Sequence, residues 1–214
     1  MMRDAGHVTR DTSHVTGFVL AGGRSSRMGR DKAFLPVGSR RMIELVIQRL
    51  RPSVERLAVL GSAVNIGRLR RLPVEAAFVD VRPHRGPLMG VYTGLLYTET
   101  PWNVFVSCDM PWIDGRLIER LMAASGGAFP MVAARHPLEG LQPFPLVCHA
   151  SACRAVGALL DRGERSLQAL LSGPGARLVR IEEPELWRSF TNVNTAADYH
   201  RVLRDQIDEA ALAR

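Results

Sequence analysis

The chain has 214 residues, of which 46% are apolar and 23% charged, with 19 Gly and 13 Pro, and this composition excludes a disordered or fibrous protein. A chain of this length buries roughly 70% of the surface its unfolded form exposes, enough for one sizeable core. Its net charge of +7 is spread along the sequence; basic residues pair with acids, as in Asp161-Arg162-Gly163-Glu164-Arg165, and aromatics make up only 6%, which argues against a nucleic-acid partner.

Residues 1–14 read as a polar, flexible N-terminal tail and residues 15–214 as a single domain. Thr16 to Ala21 is a short apolar run stopped by Gly22-Gly23, the pattern of a buried strand running into a tight turn. Met42, Ile43, Val46, Ile47 and Leu50 share one helical face, which Pro52 ends before the strand-like Leu57 to Leu60. Val64 to Leu72 suits a short helix and Ala76 to Val79 a strand. Pro87 can open a helix through Leu96, and Asn103 to Ser107 is another buried strand, followed by a helical stretch from Ile113 to Ala124. Beyond residue 126, Phe129 to Ala134, Phe144 to His149 and Ala176 to Ile181 are strand candidates. Ala150 to Leu160, Ser166 to Leu171 and Ala196 to Leu212 are helix candidates. Such alternation predicts right-handed crossovers and an α/β three-layer sandwich: a mostly parallel central sheet, helices on both faces and a small antiparallel extension. No apolar run reaches the roughly 18 residues that span a bilayer, and the first 14 residues carry charges where a signal peptide needs its apolar stretch. Three cysteines are too few for a disulfide framework or a four-cysteine zinc site. A cytoplasmic protein with reduced thiols and no membrane partner is expected.

In an open parallel sheet, ligands bind beyond the carboxyl ends of the strands, so the residues just after each apolar run carry the chemistry. The first such stretch runs from Leu20 to Lys32. Gly22, Gly23 and Gly29 let backbone N–H groups approach an anion, and Arg24, Arg27 and Lys32 can neutralise a polyphosphate. Of 28 basic residues, Lys32 is the single lysine. The spacing is neither GxGxxG nor GxxxxGK[ST], so dinucleotide and P-loop assignments lose support. Asp109 follows the strand ending at Ser107. It can hold a hard cation such as Mg²⁺ together with substrate phosphates, or it can cap the next helix. Asp80 can accept from a ribose hydroxyl or base amine, or stand as a solvated loop acid. Arg85-Gly86-Pro87-Leu88-Met89-Gly90 forms a further turn at a strand end. Alternation puts Asn192 and Asn194 on one face, where two amides can meet phosphate oxygens or metal-bound water; Asn194 or Thr195 can equally cap the last helix. The six His follow no ligand spacing, and Cys108 reads as a small buried apolar residue.

Taken together, Leu20-Ala21-Gly22-Gly23, Arg27-Met28-Gly29 with Asp31-Lys32, Gly86-Pro87-Leu88-x-Gly90, Cys108-Asp109-Met110-Pro111 and Asn192-x-Asn194-Thr195 resemble the molybdenum cofactor guanylyltransferases, the MobA-like NTP transferase family. The resemblance spans residues 16–198. It implies a Rossmann-like fold and Mg²⁺-dependent transfer of GMP from GTP to the terminal phosphate of molybdopterin or the molybdenum cofactor, with release of pyrophosphate. It also implies cofactor-handling or apo-molybdoenzyme protein partners. By the same resemblance Leu20, Ala21, Gly22, Gly23, Arg24, Lys32, Asp80, Pro87 and Asp109 bind the nucleotide, Lys32, Arg27 and Asp109 are catalytic, Asp109 ligates Mg²⁺, and Asn192 and Asn194 face the pterin phosphate. Two departures stand out. The family often carries an Asn just after its second strand that helps bind the nucleotide, where this sequence has Leu60-Gly61-Ser62. Its last motif usually continues with Pro and an acid, where this one has Ala196-Ala197 before Asp198. Rival readings are a cytidylyl- or sugar-1-phosphate nucleotidyltransferase on the same fold and a non-catalytic GTP-binding carrier that delivers cofactor.

Overall fold

A computed structural model describes residues 14–22, 31–83 and 85–212, the side chains of 206–212 excepted. The expected tail lies outside them through residue 13, as do Gly23, Arg24 and Arg27. In chain order the elements are β1 (Val15–Leu20), β2 (Pro36–Val37), β3 (Arg40–Arg41), α1 (Met42–Leu50), β4 (Arg56–Gly61), α2 (Ile66–Leu69), β5 (Ala76–Val79) and α3 (Pro87–Tyr97). There follow β6 (Trp102–Ser107), α4 (Gly115–Ala123), β7 (Met131–His136), β8 (Gly140–His149), α5 (Cys153–Asp161), α6 (Leu167–Leu171), β9 (Ala176–Arg180), α7 (Pro184–Trp187) and α8 (Ala196–Leu212).

Seven strands form one sheet in the order β5-β4-β1-β6-β8-β7-β9, and β2 and β3 pair as a separate antiparallel ribbon. β1 pairs in parallel with β4 and β6, β4 with β5, and β7 with β9; β8 alone runs against its neighbours. The antiparallel part thus lies inside the main sheet, because the β7–β8 hairpin turns back at Gly140, whose φ of 81° suits glycine, and inserts β8 between β6 and β7. Strand order reverses between β1 and β6, the place where this class of sheet leaves a crevice.

Alternation along the strands builds the two outer layers. Val15 and Val19 of β1, Leu57 and Val59 of β4, and Val104 and Val106 of β6 face α1, α2 and α4. Phe18, Ala58, Leu60 and Phe105 face α3, α5 and α6. A third, smaller cluster joins Val37, Met42, Leu45, Trp112, Val193 and Val202, tying the ribbon and α8 to the sheet's carboxyl edge. Helix ends follow local chemistry. Glu44 Oε2 accepts from Arg41 N at 2.6 Å to start α1, and Pro52 lies in the short 3₁₀ turn that ends it. Pro87 opens α3 after Gly86, whose φ is 73°. One expected helix is shorter than its sequence suggested: of Val64 to Leu72 only Ile66–Leu69 is α-helical. Val64 is 95% exposed, and the Asn65 side chain folds back into the preceding turn.

Candidate functional site

The carboxyl ends of β1, β4, β5 and β6 are locked together by backbone bonds that continue past the strands. Ala21 N donates to Leu60 O at 2.7 Å, Cys108 N to Leu20 O at 3.0 Å and Asp80 N to Gly61 O at 3.0 Å. Above them opens a cleft of about 490 Å³. Leu20, Gly22, Asp80 and Pro87, each expected at the nucleotide, line it together with Gly90. Two glycines are there for want of space. A Cβ on Gly22 would stand 2.9 Å from Asp80 Oδ2, and one on Gly90 2.7 Å from Leu20 Cδ2.

Asp80 is not a solvated loop acid. Its Oδ1 is buried and meets no donor, and burial pushes its carboxyl up to about 6 while the Thr93 hydroxyl pulls the other way. An acceptor left orphaned on a residue that lines a cleft suits a ligand that brings N–H or O–H groups.

A second group of residues gathers beside the cleft, drawn from three distant parts of the chain. Asp31 caps the 3₁₀ turn Lys32–Phe34 by accepting from Ala33 N at 3.2 Å. The turn presents Lys32, whose Nζ donates to Asn194 Oδ1 at 2.9 Å and lies 3.9 Å from Asp109 Oδ2; both charged side chains are 17% exposed. Asp109 O in turn accepts from Val193 N at 2.9 Å, which seats the segment bearing the two asparagines against the end of β6. The capping alternative for Asp109 falls to another residue, since Asp114 accepts from Arg116 N at 2.8 Å and caps α4. That leaves Asp109 Oδ1 buried and without a partner. Among the described residues no three His, Cys, Asp or Glu side chains converge, so a hard cation here would draw its other ligands from phosphate and water.

Asn192 and Asn194 are both exposed with Val193 buried between them. Their surroundings differ: Asn192 Nδ2 reaches only Phe190 O at 3.4 Å, while Asn194 holds Lys32. Helix α8 opens with a capping box. Asp198 Oδ2 accepts from Thr195 N at 2.9 Å and Asn194 N at 3.1 Å, and Thr195 Oγ1 accepts from Asp198 N at 3.1 Å. Ala196-Ala197 therefore supplies the first helical residues and leaves the cap to Thr195. Cys108 is half-buried, and its thiol is raised well above the usual range by burial and by the Asp109 and Asp31 carboxylates, which makes it a poor nucleophile.

Sequence reasoning gave no site role to several residues that meet here. Leu60, Arg85, Ser107, Phe144 and Arg165 line the cleft; no local pattern reveals that Phe144 of β8 and Arg165, in the loop between α5 and α6, come to it. Asn65 is another, buried beneath Ala21, where its Nδ2 donates to Ala21 O at 2.9 Å.

Residues 17–179 match the family model of the MobA-like NTP transferase domain. The chain belongs to this family. The molybdenum cofactor guanylyltransferase of Yersinia pestis is 33% identical over 187 residues, covering 86% of this chain and 93% of that protein. Its counterpart of the same name from Serratia proteamaculans is 33% identical over 188 residues, covering 86% and 91%. Among solved structures, molybdopterin-guanine dinucleotide biosynthesis protein A from Archaeoglobus fulgidus superposes with a TM-score of 0.75 over 90% of this chain and 99% of that one, at 20% identity, and so shares the fold. This MobA-like NTP transferase is accordingly a nucleotidyltransferase with the three-layer α/β architecture expected from its strand and helix alternation. No helix among its described residues is long and apolar enough to cross a membrane.

Proposed function

We propose that this NTP transferase moves GMP from GTP to the terminal phosphate of molybdopterin or the molybdenum cofactor, forming the guanine dinucleotide and releasing pyrophosphate. The observation that carries the reading is the meeting of Lys32, Asp109 and Asn194 beside a cleft lined by Asp80, whose buried Oδ1 has no partner. The names of the 33%-identical relatives supply the donor and acceptor.

An oxygen of the acceptor phosphate attacks the α-phosphorus of GTP; the new P–O bond forms as the bond to the β-phosphate bridging oxygen breaks, and pyrophosphate leaves with that electron pair. Lys32 holds the departing phosphates in line, assisted by backbone N–H groups of Ala21, Gly22 and Gly23 and by Arg24 and Arg27. Asp80 and Pro87 seat the nucleoside beside Leu20, and Asn192 and Asn194 receive the acceptor phosphate. The donor set fits Mg²⁺, because Asp109 offers one carboxylate with a buried, unpartnered Oδ1 and phosphates bring the rest. Bound there, Mg²⁺ would lower the charge barrier between two anions and the build-up on pyrophosphate. Action in the cytoplasm agrees with Cys108, Cys148 and Cys153 all being free thiols.

The test is pyrophosphate release from each of the four ribonucleoside triphosphates with Mg²⁺, with and without molybdopterin. Release with GTP and molybdopterin together is expected. Release with CTP would reassign the base, and GTP binding without release would make the chain a carrier.

A further inference from the structure

Asn65 stands outside the cleft lining yet touches both ends of the stretch that begins at Ala21 and ends at Asp31. One amide nitrogen makes both contacts: Nδ2 donates to Ala21 O at 2.9 Å and to Asp31 Oδ2 at 3.3 Å, across 44 and 34 residues of sequence. On the other side, Oδ1 accepts from Ser62 N at 2.9 Å. Ala21 O and Asp31 Oδ2 can only accept and Ser62 N can only donate, so the amide has one permitted orientation. Gly61 makes the room, since a Cβ there would stand 2.5 Å from Asn65 Oδ1 and 2.2 Å from Leu69 Cδ1. The residue is 6% exposed, where an apolar side chain would carry no risk of unmet donors. Asp31, the far anchor, caps the turn that presents Lys32.

We infer that Asn65 is a positioning residue that fixes the spacing between Ala21 and Asp31, and through Asp31 the placement of Lys32 against the nucleotide's phosphates. Its role in turnover rests on the proposed function; its role as a clamp does not. Asn65→Asp keeps the shape but replaces both donated hydrogens with an anionic oxygen facing Ala21 O and the Asp31 carboxylate, so each contact becomes repulsive. Leu69→Ala is the control, because it loosens the same turn by emptying core volume and leaves the amide intact.

Two measurements separate the roles. Trypsin cuts after arginine, and Arg24, Arg27 and Arg30 fall between the two anchors. Cleavage there, relative to cleavage elsewhere in the chain, should be about fivefold faster in Asn65→Asp than in the wild type and unchanged in Leu69→Ala. In the pyrophosphate assay the KM for GTP should rise about tenfold in Asn65→Asp, with a smaller fall in kcat, while Leu69→Ala lowers only the melting temperature. Asn65→Ser, which shortens the amide without adding charge, should shift both readouts the same way and serves if the aspartate variant does not fold. Asn65 variants whose cleavage ratio matches that of Leu69→Ala would overturn the clamp. A wild type that releases no pyrophosphate with any triphosphate would overturn the proposed function instead, and proteolysis would still decide the clamp.

Discussion

Burial holds the Asp80 carboxyl toward its protonated form, pushing it up to about 6. Below about pH 4 folded and unfolded chains are both protonated, and the residue's contribution to stability is fully present; it is lost as the pH rises through 6. Asp80→Asn should therefore melt a few degrees above the wild type at pH 8, with the gap closing toward pH 4, while nucleotide affinity falls. Melting curves across that range check the sign, and a gap independent of pH would contradict it. Lys32 works the other way. At 17% exposure and 3.9 Å from Asp109 it adds little to stability, about 1 kcal/mol or less, but aligned with a leaving phosphate it is worth far more. Lys32→Ala should lower kcat about a hundredfold or more with a nearly unchanged urea midpoint. Lys32 is more enclosed than an exposed loop cation, because Asn194 comes to it from 162 residues away. Asp80 and Asp109 could be singled out in the sequence because each follows closely on an apolar run, and Lys32 because it is the single lysine and follows a glycine-rich turn. Asn65 could not: a buried amide folded under a distant loop and a polar residue in an ordinary turn look alike until the turn's neighbour is known.

Helix α3 packs on the sheet through Leu88, Met89, Val91 and Leu95, and at one point through a glycine. A Cβ on Gly94 would lie 2.5 Å from Phe105 Cε1 and 3.3 Å from Phe18 Cδ2. Those rings stack at 5.1 Å and are almost wholly buried, so neither can move aside. Alanine normally improves a helix interior by about 1 kcal/mol, yet here overpacking should outweigh that gain, leaving Gly94→Ala about 1–2 kcal/mol less stable in urea titration. The strands were readable because their apolar runs are buried on both faces, as Val104, Phe105 and Val106 show at 0% exposure. Elements too short for a period were not. Neither the two-residue strands β2 and β3 nor the four-residue α7 repeats a face; Val37 of the ribbon packs with the distant Trp112, Val193 and Val202, and α7 is held by Trp187 Nε1 donating to Ile181 O at 2.9 Å. The insertion of β8 between β6 and β7 was likewise illegible, since a hairpin's sequence sets its turn and says nothing of which third strand it joins.

Both apolar layers run the length of the sheet: the cluster on one face includes Val15 and Val132, the other Phe18 and Met131, so the two halves of the chain share their cores. The chain should therefore unfold in one cooperative transition, coincident by far- and near-ultraviolet circular dichroism, and two separated transitions would divide it into domains. The tie between Lys32, Asp109 and Asn194 has a consequence during synthesis. Translation delivers Lys32 and Asp109 first, then the rest of the cleft lining with every remaining strand through Arg180, and only afterwards Asn194. A nascent chain can thus complete its sheet and hold an open nucleotide crevice while the lysine still lacks its asparagine. On the proposed reading, a polypeptide stalled before residue 194 would carry Lys32 and Asp109 without the amide that receives the acceptor phosphate, and without the Val193 and Val202 side chains of the third core cluster.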